Sequence, residues 1–313
     1  VKVGKELQHE YENCGIEVQT IRLCTPPFET WGHDEIEAKL AGIHPVLEEL
    51  GVEFFSIGPA TSQSGRSVIA QILQKYPRIS ASAEVGVDED GNIDQVAAVD
   101  AARIMYTLST STEGGLGNFR FCASFCCPAG IPFFPGSYAD KAFDGTLKIS
   151  IGLENGDIAM RAFQDAGGDL AIAKHKLRAA LIKAARAVEG PAEAVCKRVG
   201  PTACYRGLDT SLNPALNEEG SVAGAIEAVL AGRPFGAIGT LEVCAAITDV
   251  LKSIPCRQAG YCGLMLPPME DLVLARRAAS AAGPTYGLRD LLAFSSVCGV
   301  GLDTVPVPGG GGG

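Results

Sequence analysis

The stretch Val52–Val87, VEFFSIGPATSQSGRSVIAQILQKYPRISASAEVGV, decides how the rest of the chain is read. It opens on a short apolar run, Val52–Ile57, with the length and composition of a buried strand, and Gly58–Pro59 reads as a turn. Ser67–Lys75 then reads as a helix and Ser80–Val87 as a second strand. A strand, a helix and a strand in succession form a βαβ unit, whose two strands lie parallel.

The pattern extends in both directions. Toward the N-terminus, Val1–Asn13 reads as a helix, Gly15 ends it, and Ile16–Leu23 reads as a strand before Pro26–Pro27. Asp34 can cap a helix whose apolar residues Ile36, Leu40, Ile43 and Leu47 recur at helical spacing. Toward the C-terminus come a turn at Asp88–Gly91, a helix over Ile93–Leu108, and strands over Phe119–Phe125 and Leu147–Leu153. Asp169 can cap a long helix reaching Val188. Val222–Leu230, Leu241–Leu251, Met269–Ala278 and Leu288–Phe294 read as helices, and Val297–Leu302 as a last buried strand. No linker divides the chain. The expectation is an α/β fold, a barrel of mostly parallel strands with surrounding helices. It occupies 1–308 as a single domain, followed by a flexible Gly tail over 309–313.

Composition narrows the function classes. A formal charge of −10 and a pI near 5.0 argue against nucleic acid, whose binding rests on phosphate neutralisation, and against an anionic membrane surface. No run reaches the length of a membrane span. Eleven cysteines at irregular spacing, without a C-x-x-C pair, fit a reducing compartment better than a zinc site. The adjacent pair Cys126–Cys127 has no His or Lys beside it in sequence to lower a thiol pKa, so it reads as structural. These features point to the cytoplasm. Because the chain opens on Val1 within a helical pattern, organelle import stays open.

Polar residues gather at the ends of expected strands, where α/β proteins place their sites. Three segments do this: Gly152–Asp157 (GLENGD), Gly260–Asp271 (GYCGLMLPPMED) and Cys298–Pro306 (CGVGLDTVP). Each sets carboxylates beside glycines that let backbone approach a ligand. Glu154, Asp157 and Asp303 are the candidate catalytic acids and bases, and Tyr261, Glu270 and Asp271 candidate substrate contacts. Such carboxylates could also hold a hard cation such as Mg²⁺ or Ca²⁺. The competing reading makes Asp157, Asp271 and Asp303 turn and helix-cap residues. Arg120, among apolar neighbours in Asn118–Cys122, needs either a structural carboxylate, with Glu84 available, or an anionic substrate group. The segment Gly58–Ser67 could hold an anion at a helix start but departs from a P-loop in spacing and in Arg66, and reads as a loop.

Together Gly15–Phe28 (GIEVQTIRLCTPPF), Asn118–Phe121 (NFRF), Phe133–Pro135 (FFP), Ile151–Asp157 (IGLENGD), Gly260–Asp271 and Val297–Gly309 (VCGVGLDTVPVPG) resemble, in collinear order, the uncharacterised DUF711 family. That resemblance implies a barrel like that of the glycyl radical enzymes typified by pyruvate formate-lyase. It does not imply radical chemistry, because the C-terminal glycines here lie in Cys298–Leu302 without the Arg and Tyr of the R-V-x-G-Y motif. Two departures stand out. Gly136–Asp140 follows Pro135 where many members carry a His. The family's first strand is also missing, which would leave a sheet edge unpaired unless a partner covers it; a homo-oligomer is the expectation. Two functions follow: an enzyme acting on a small polar or anionic metabolite within the barrel, or a non-catalytic ligand-binding or oligomerising module.

Overall fold

The computed structural model describes residues 1–307 except 89 and 141–143, so the expected Gly tail 309–313 lies outside the described residues. In chain order the elements are α1 (Lys2–Asn13), β1 (Arg22–Cys24), α2 (Ile36–Glu49), β2 (Phe54–Ala60), α3 (Gln63–Lys75), β3 (Ile79–Glu84), α4 (Gln95–Ser111), β4 (Phe121–Ser124), β5 (Leu147–Gly152), α5 (Gly156–Gln164), α6 (Leu170–Val199), β6 (Ala203–Asp209), α7 (Val222–Val229), α8 (Thr240–Lys252), α9 (Leu272–Ala278) and α10 (Leu288–Cys298). By their contacts they divide into two compact units. The first is Val1–Ile149 with Pro191–Tyr205, and the second is Ser150–Gly190 with Arg206–Gly313. The boundary passes through β5, α6 and β6.

The first unit is built on a four-stranded parallel sheet in the order β1-β2-β3-β4. Helices α2, α3 and α4 make the three crossovers that parallel neighbours require. In register, Phe55 faces Ile79, and Ala83 faces Ala123. Residues 79–83 of the interior strand β3 are all buried, and the small side chains Ser80, Ala81, Ser82 and Ala83 let neighbouring elements lie close. Against them α3 turns Ile69, Ile72 and Leu73, and α4 turns Ala101, Ile104 and Leu108. Each large aliphatic buried this way contributes roughly 1.5–3 kcal/mol. The Ser62 hydroxyl accepts from Gly65 N at 3.0 Å to start α3. Asp94 accepts from Val96 N and Ala97 N to start α4.

Three local expectations change. Gly58–Pro59 does not turn the chain: β2 runs through it with a bulge between Ser56 and Pro59, and Gly58 takes φ 77°. That conformation suits glycine, so the same residue serves a bulge as readily as a turn. The first strand shrinks to Arg22–Cys24. Helix α2 begins at Ile36 after two 3₁₀ turns, with no side-chain cap from Asp34.

Strands β5 and β6, whose later residues belong to the second unit, form a two-stranded sheet. Parallel bridges at Leu208–Gln258 and Leu212–Leu264 extend it. Phe235 anchors the helical core, with its ring centroid 5.3 Å from those of both Tyr286 and Phe294 in edge-on contact. The expected strand Val297–Leu302 is not formed. Helix α10 continues to Cys298 and is closed by Gly299 at φ 80°. Among the described residues the strands do not close into the expected barrel. The parallel sheet of the first unit ends at β1 and β4, and the apolar run Gly263–Leu266 makes a single bridge, to Leu212. No helix among the described residues is long and apolar enough to cross a membrane.

Candidate functional site

The three glycine–carboxylate segments come together in the second unit. The buried Asn155 donates through Nδ2 to Ser211 O at 3.1 Å, and its Oδ1 accepts from Asn213 N at 3.0 Å. Leu212 N donates to Gly263 O at 3.0 Å, Met265 N to Leu212 O at 3.1 Å, and Leu264 N to Cys298 O at 2.9 Å. Segments 152–157, 209–213, 260–265 and 298–301 are therefore stitched side by side by their own backbones. Two glycines are needed for this: a Cβ on Gly156 would lie 1.9 Å from Gly220 O, and one on Gly263 2.4 Å from Cys298 O.

A buried carboxylate that the sequence reading passed over aligns the middle segment. Asp209 accepts from Ser211 N and Cys262 N through Oδ1, both at 2.9 Å, and from Tyr261 N through Oδ2 at 2.8 Å. It thus fixes the backbone that carries Tyr261 and holds Cys262 at φ 48°, a left-handed conformation rare for a residue with a side chain. The signal available in sequence was Asp209–Ser211, three polar residues in a row after Leu208.

Beyond this seam the carboxylates separate into two kinds. Asp271, fully buried, caps two helices at once. Its Oδ1 accepts from Ser221 Oγ at 2.6 Å, Val273 N at 3.0 Å and Leu274 N at 3.1 Å, and its Oδ2 from Ala223 N at 3.0 Å. Asp303 is different. The residue keeps some accessible surface, but its carboxyl is crowded by protein. Burial, and secondly the charge of Glu270, raise its pKa to about 7. Glu270 is itself partly buried. Next to Asp303, Thr304 sits at φ 41° with a buried hydroxyl that has no hydrogen-bond partner. A strained β-branched residue, an unpaired polar atom and a displaced carboxyl at one place are features that cluster at functional sites.

The other expected site residues lie elsewhere. Glu154 is exposed. Asp157 stands in the first turn of α5 and pairs with Arg161 at 2.6 Å. It borders a cleft of about 650 Å³ whose arginines are matched to acids, Arg276 to Glu218 at 2.5 Å and Arg277 to Glu227 at 2.6 and 2.7 Å. Arg120 belongs to the first unit, where its guanidinium donates to three main-chain carbonyls: Leu73 O at 2.7 Å, Tyr76 O at 3.0 Å and Ile79 O at 3.1 Å. The first two lie at the C-terminal end of α3 and the third opens β3; they take the place of the carboxylate partner expected from Glu84, and burial lowers the arginine's pKa. The helix start after Gly58 holds an anion from the chain itself. Glu29 accepts from Thr61 N at 2.8 Å, Thr61 Oγ1 at 2.7 Å, Ser62 N at 3.0 Å and Ser62 Oγ at 2.5 Å. Among the described residues no group of three or more His, Cys, Asp and Glu side chains is arranged to hold a metal ion.

Comparison with known proteins places the chain in a family. A family model described as "Uncharacterised ACR (DUF711)" matches residues 1–311. A UPF0210 protein of Desulforudis audaxviator is 26% identical across 99% of the chain and 70% of its own length. One from Pyrobaculum arsenaticum is 29% identical across 94% of the chain and 67% of its own length. One from Lactiplantibacillus plantarum is 26% identical across 99% of the chain and 70% of its own length.

Proposed function

The chain belongs to the DUF711 family of uncharacterised proteins, and from that premise we propose that its second unit is an acid–base enzyme site in which Asp303 carries the proton. The substrate class is a small polar or anionic metabolite. One observation supports this above the others: Glu270 and Asp303, from two of the three glycine-rich segments, are brought together beside the strained Thr304. Burial disfavours the charged form of Asp303 and the charge of Glu270 adds to this, so Asp303 keeps its proton up to about neutral pH. A neutral Asp303 donates to a substrate oxygen or nitrogen. Once it has given up that proton, its carboxylate can take one back from the substrate or from water. The unpaired Thr304 hydroxyl is a ready partner for a polar substrate group. Tyr261, with its amide fixed by Asp209, is the aromatic contact of the same seam. Asp271 and Glu154 support the reading less, the first because four donors hold it as a cap and the second because it is exposed.

A panel of small carboxylates, sugar acids and polar amides tests the reading, with binding followed by thermal shift and turnover by NMR. Wild-type protein is expected to bind at least one class more tightly at about pH 6 than at about pH 8, as a donor titrating near 7 requires. Asp303→Asn should retain binding and lose turnover. A ligand that is bound and turned over equally by wild type, Asp303→Asn and Glu270→Gln would remove the site.

A further inference from the structure

We propose that Cys126 and Cys127, at the carboxyl edge of the first unit's parallel sheet, are a thiol–disulfide exchange site that closes reversibly to a disulfide between neighbours. Because β1 to β4 are all parallel, their carboxyl ends share one edge, the edge at which open α/β sheets bind ligands. Directly after β4 on this edge, Cys126 is exposed and Cys127 partly so. By contrast Cys196, Cys244, Cys262 and Cys298 are buried.

The backbone around the pair is held from both sides. Glu84, at the end of β3, accepts from Ser124 Oγ at 2.9 Å and from Cys126 N at 3.0 Å. Tyr138 donates its hydroxyl to Cys127 O at 2.8 Å. Burial, and then the charge of Glu84, raise the Tyr138 pKa, so its phenol keeps the proton it donates. Between these anchors Cys126 is held at φ 51°. Such a conformation costs on the order of 1–3 kcal/mol in a residue with a side chain and persists where surrounding contacts impose it. The loop bearing Tyr138 is tied to the sheet in turn. Ser56 Oγ donates to Ser137 O at 2.6 Å, and Ala139 N donates to Thr25 O at 2.9 Å.

The chemistry uses a low-molecular-weight disulfide as oxidant. Cys126, the more exposed thiol, loses its proton to solvent and attacks one sulfur of that disulfide. A bond forms between Cys126 Sγ and that sulfur, and the other half leaves as a thiolate. Cys127 then loses its proton and attacks Cys126 Sγ, expelling the second small thiolate and leaving a Cys126–Cys127 disulfide. Two protein thiols are oxidised and one small disulfide is reduced to two thiols. Adjacent Cα atoms stand about 3.8 Å apart across a trans peptide, short of the roughly 4.4–6.8 Å that disulfides usually span. The product is therefore strained, and strained, exposed disulfides are the easily reduced ones. The pair should cycle with the surrounding thiol pool instead of locking.

The full chain is equilibrated in glutathione buffers from fully reduced to fully oxidised, trapped with iodoacetamide, digested with chymotrypsin, which cuts after Phe125 and parts the pair from Cys122, and mapped by mass spectrometry. The peptide containing both residues is expected to pass from the doubly alkylated form to an unalkylated form lighter by two hydrogens. It should return on reduction, without an accumulating glutathione adduct. In Cys127→Ser the reaction should stop at the adduct on Cys126, at a level roughly tenfold above wild type, since the resolving thiol is gone. Exposed Cys14 serves in each sample as the control for reagent access. The proposal is overturned if the wild-type peptide stays doubly alkylated in the oxidised buffer, or if it accumulates the adduct as Cys127→Ser does. Far-UV circular dichroism of Cys127→Ser establishes that the variant is folded when the comparison is made.

Discussion

The Ser221 hydroxyl donates to Asp271 Oδ1 at 2.6 Å across fifty residues of sequence, joining the start of α7 to the start of α9. Ser221 also accepts from Gly224 N at 2.9 Å, so one hydroxyl and one carboxylate together satisfy the amides that open two helices. Asp271→Ala would leave Ser221 Oγ and the amides of Ala223, Val273 and Leu274 without their acceptor. Each buried donor left unpaired costs about 1–3 kcal/mol, but the site can relax, so the expected loss is about 3–5 kcal/mol in urea denaturation. A loss below about 1 kcal/mol would show that Asp271 is not the joint between these helices.

Glu29 gives a prediction with a pH sign. Burial raises its pKa, but the hydroxyl and amide of Ser62 and those of Thr61 outweigh it, and the net shift is downward. A depressed carboxyl stabilises the fold above its unfolded pKa and loses that contribution as pH falls through the folded value. Glu29→Gln should therefore cost about 1–2 kcal/mol near neutral pH, in the range of a charged group on a helix start. The wild-type and variant curves should draw together as pH falls through the depressed folded value. Equal stability of the two proteins at pH 7 would contradict the assignment.

Arg120 was expected to face either a carboxylate or a substrate anion, and its donors instead go to the carbonyls of Leu73, Tyr76 and Ile79. Arg120→Lys keeps the charge but loses the planar fork that reaches three acceptors. It should lower stability by about 1–2 kcal/mol, and Arg120→Ala by about 2–3 kcal/mol. Neither should alter the affinity of any ligand found for the second unit. A ligand whose affinity falls in Arg120→Lys at unchanged stability would restore the anion-clamp role.

What could be read in the sequence follows from how local each signal is. Helices α1, α3, α6, α7 and α8 announce themselves through spacing and caps, as Asp169 does by accepting from Ala171 N and Ile172 N. The parallel sheet of the first unit follows from Val52–Val87 and its flanks. Helix α5 was hidden because Asn155–Gly156–Asp157 looks like a turn, and β6 because Arg206–Gly207 interrupts its apolar alternation. Val297–Leu302 was misassigned because a short apolar run suits a buried strand and a helix end equally. In the second unit, the cap reading of Asp271 follows from its place before α9, with Val273 N and Leu274 N as local donors. Its further donors Ser221 and Ala223, and the neighbour Glu270 of Asp303, lie far away in the chain and leave no local signal.

Asp303 supplies the last prediction, with the opposite sign to Glu29. Its folded pKa, about 7, lies above the 3.8 of an unperturbed aspartate. Between those values the folded protein holds a proton that the unfolded chain has released, so stability falls as pH rises through this window and levels off above it. The loss should be on the order of 2–4 kcal/mol, since the charged form is crowded by protein and faces Glu270. Asp303→Asn has no carboxyl to ionise, so its stability should not show this decline, and its advantage over wild type should grow from about pH 5 to about pH 8. Glu270→Gln removes only the second cause and should shift the wild-type decline toward lower pH without abolishing it. Urea denaturation of the three proteins across that range makes the comparison. Parallel curves for wild type and Asp303→Asn would mean that Asp303 ionises at an ordinary pKa and cannot be the proton carrier.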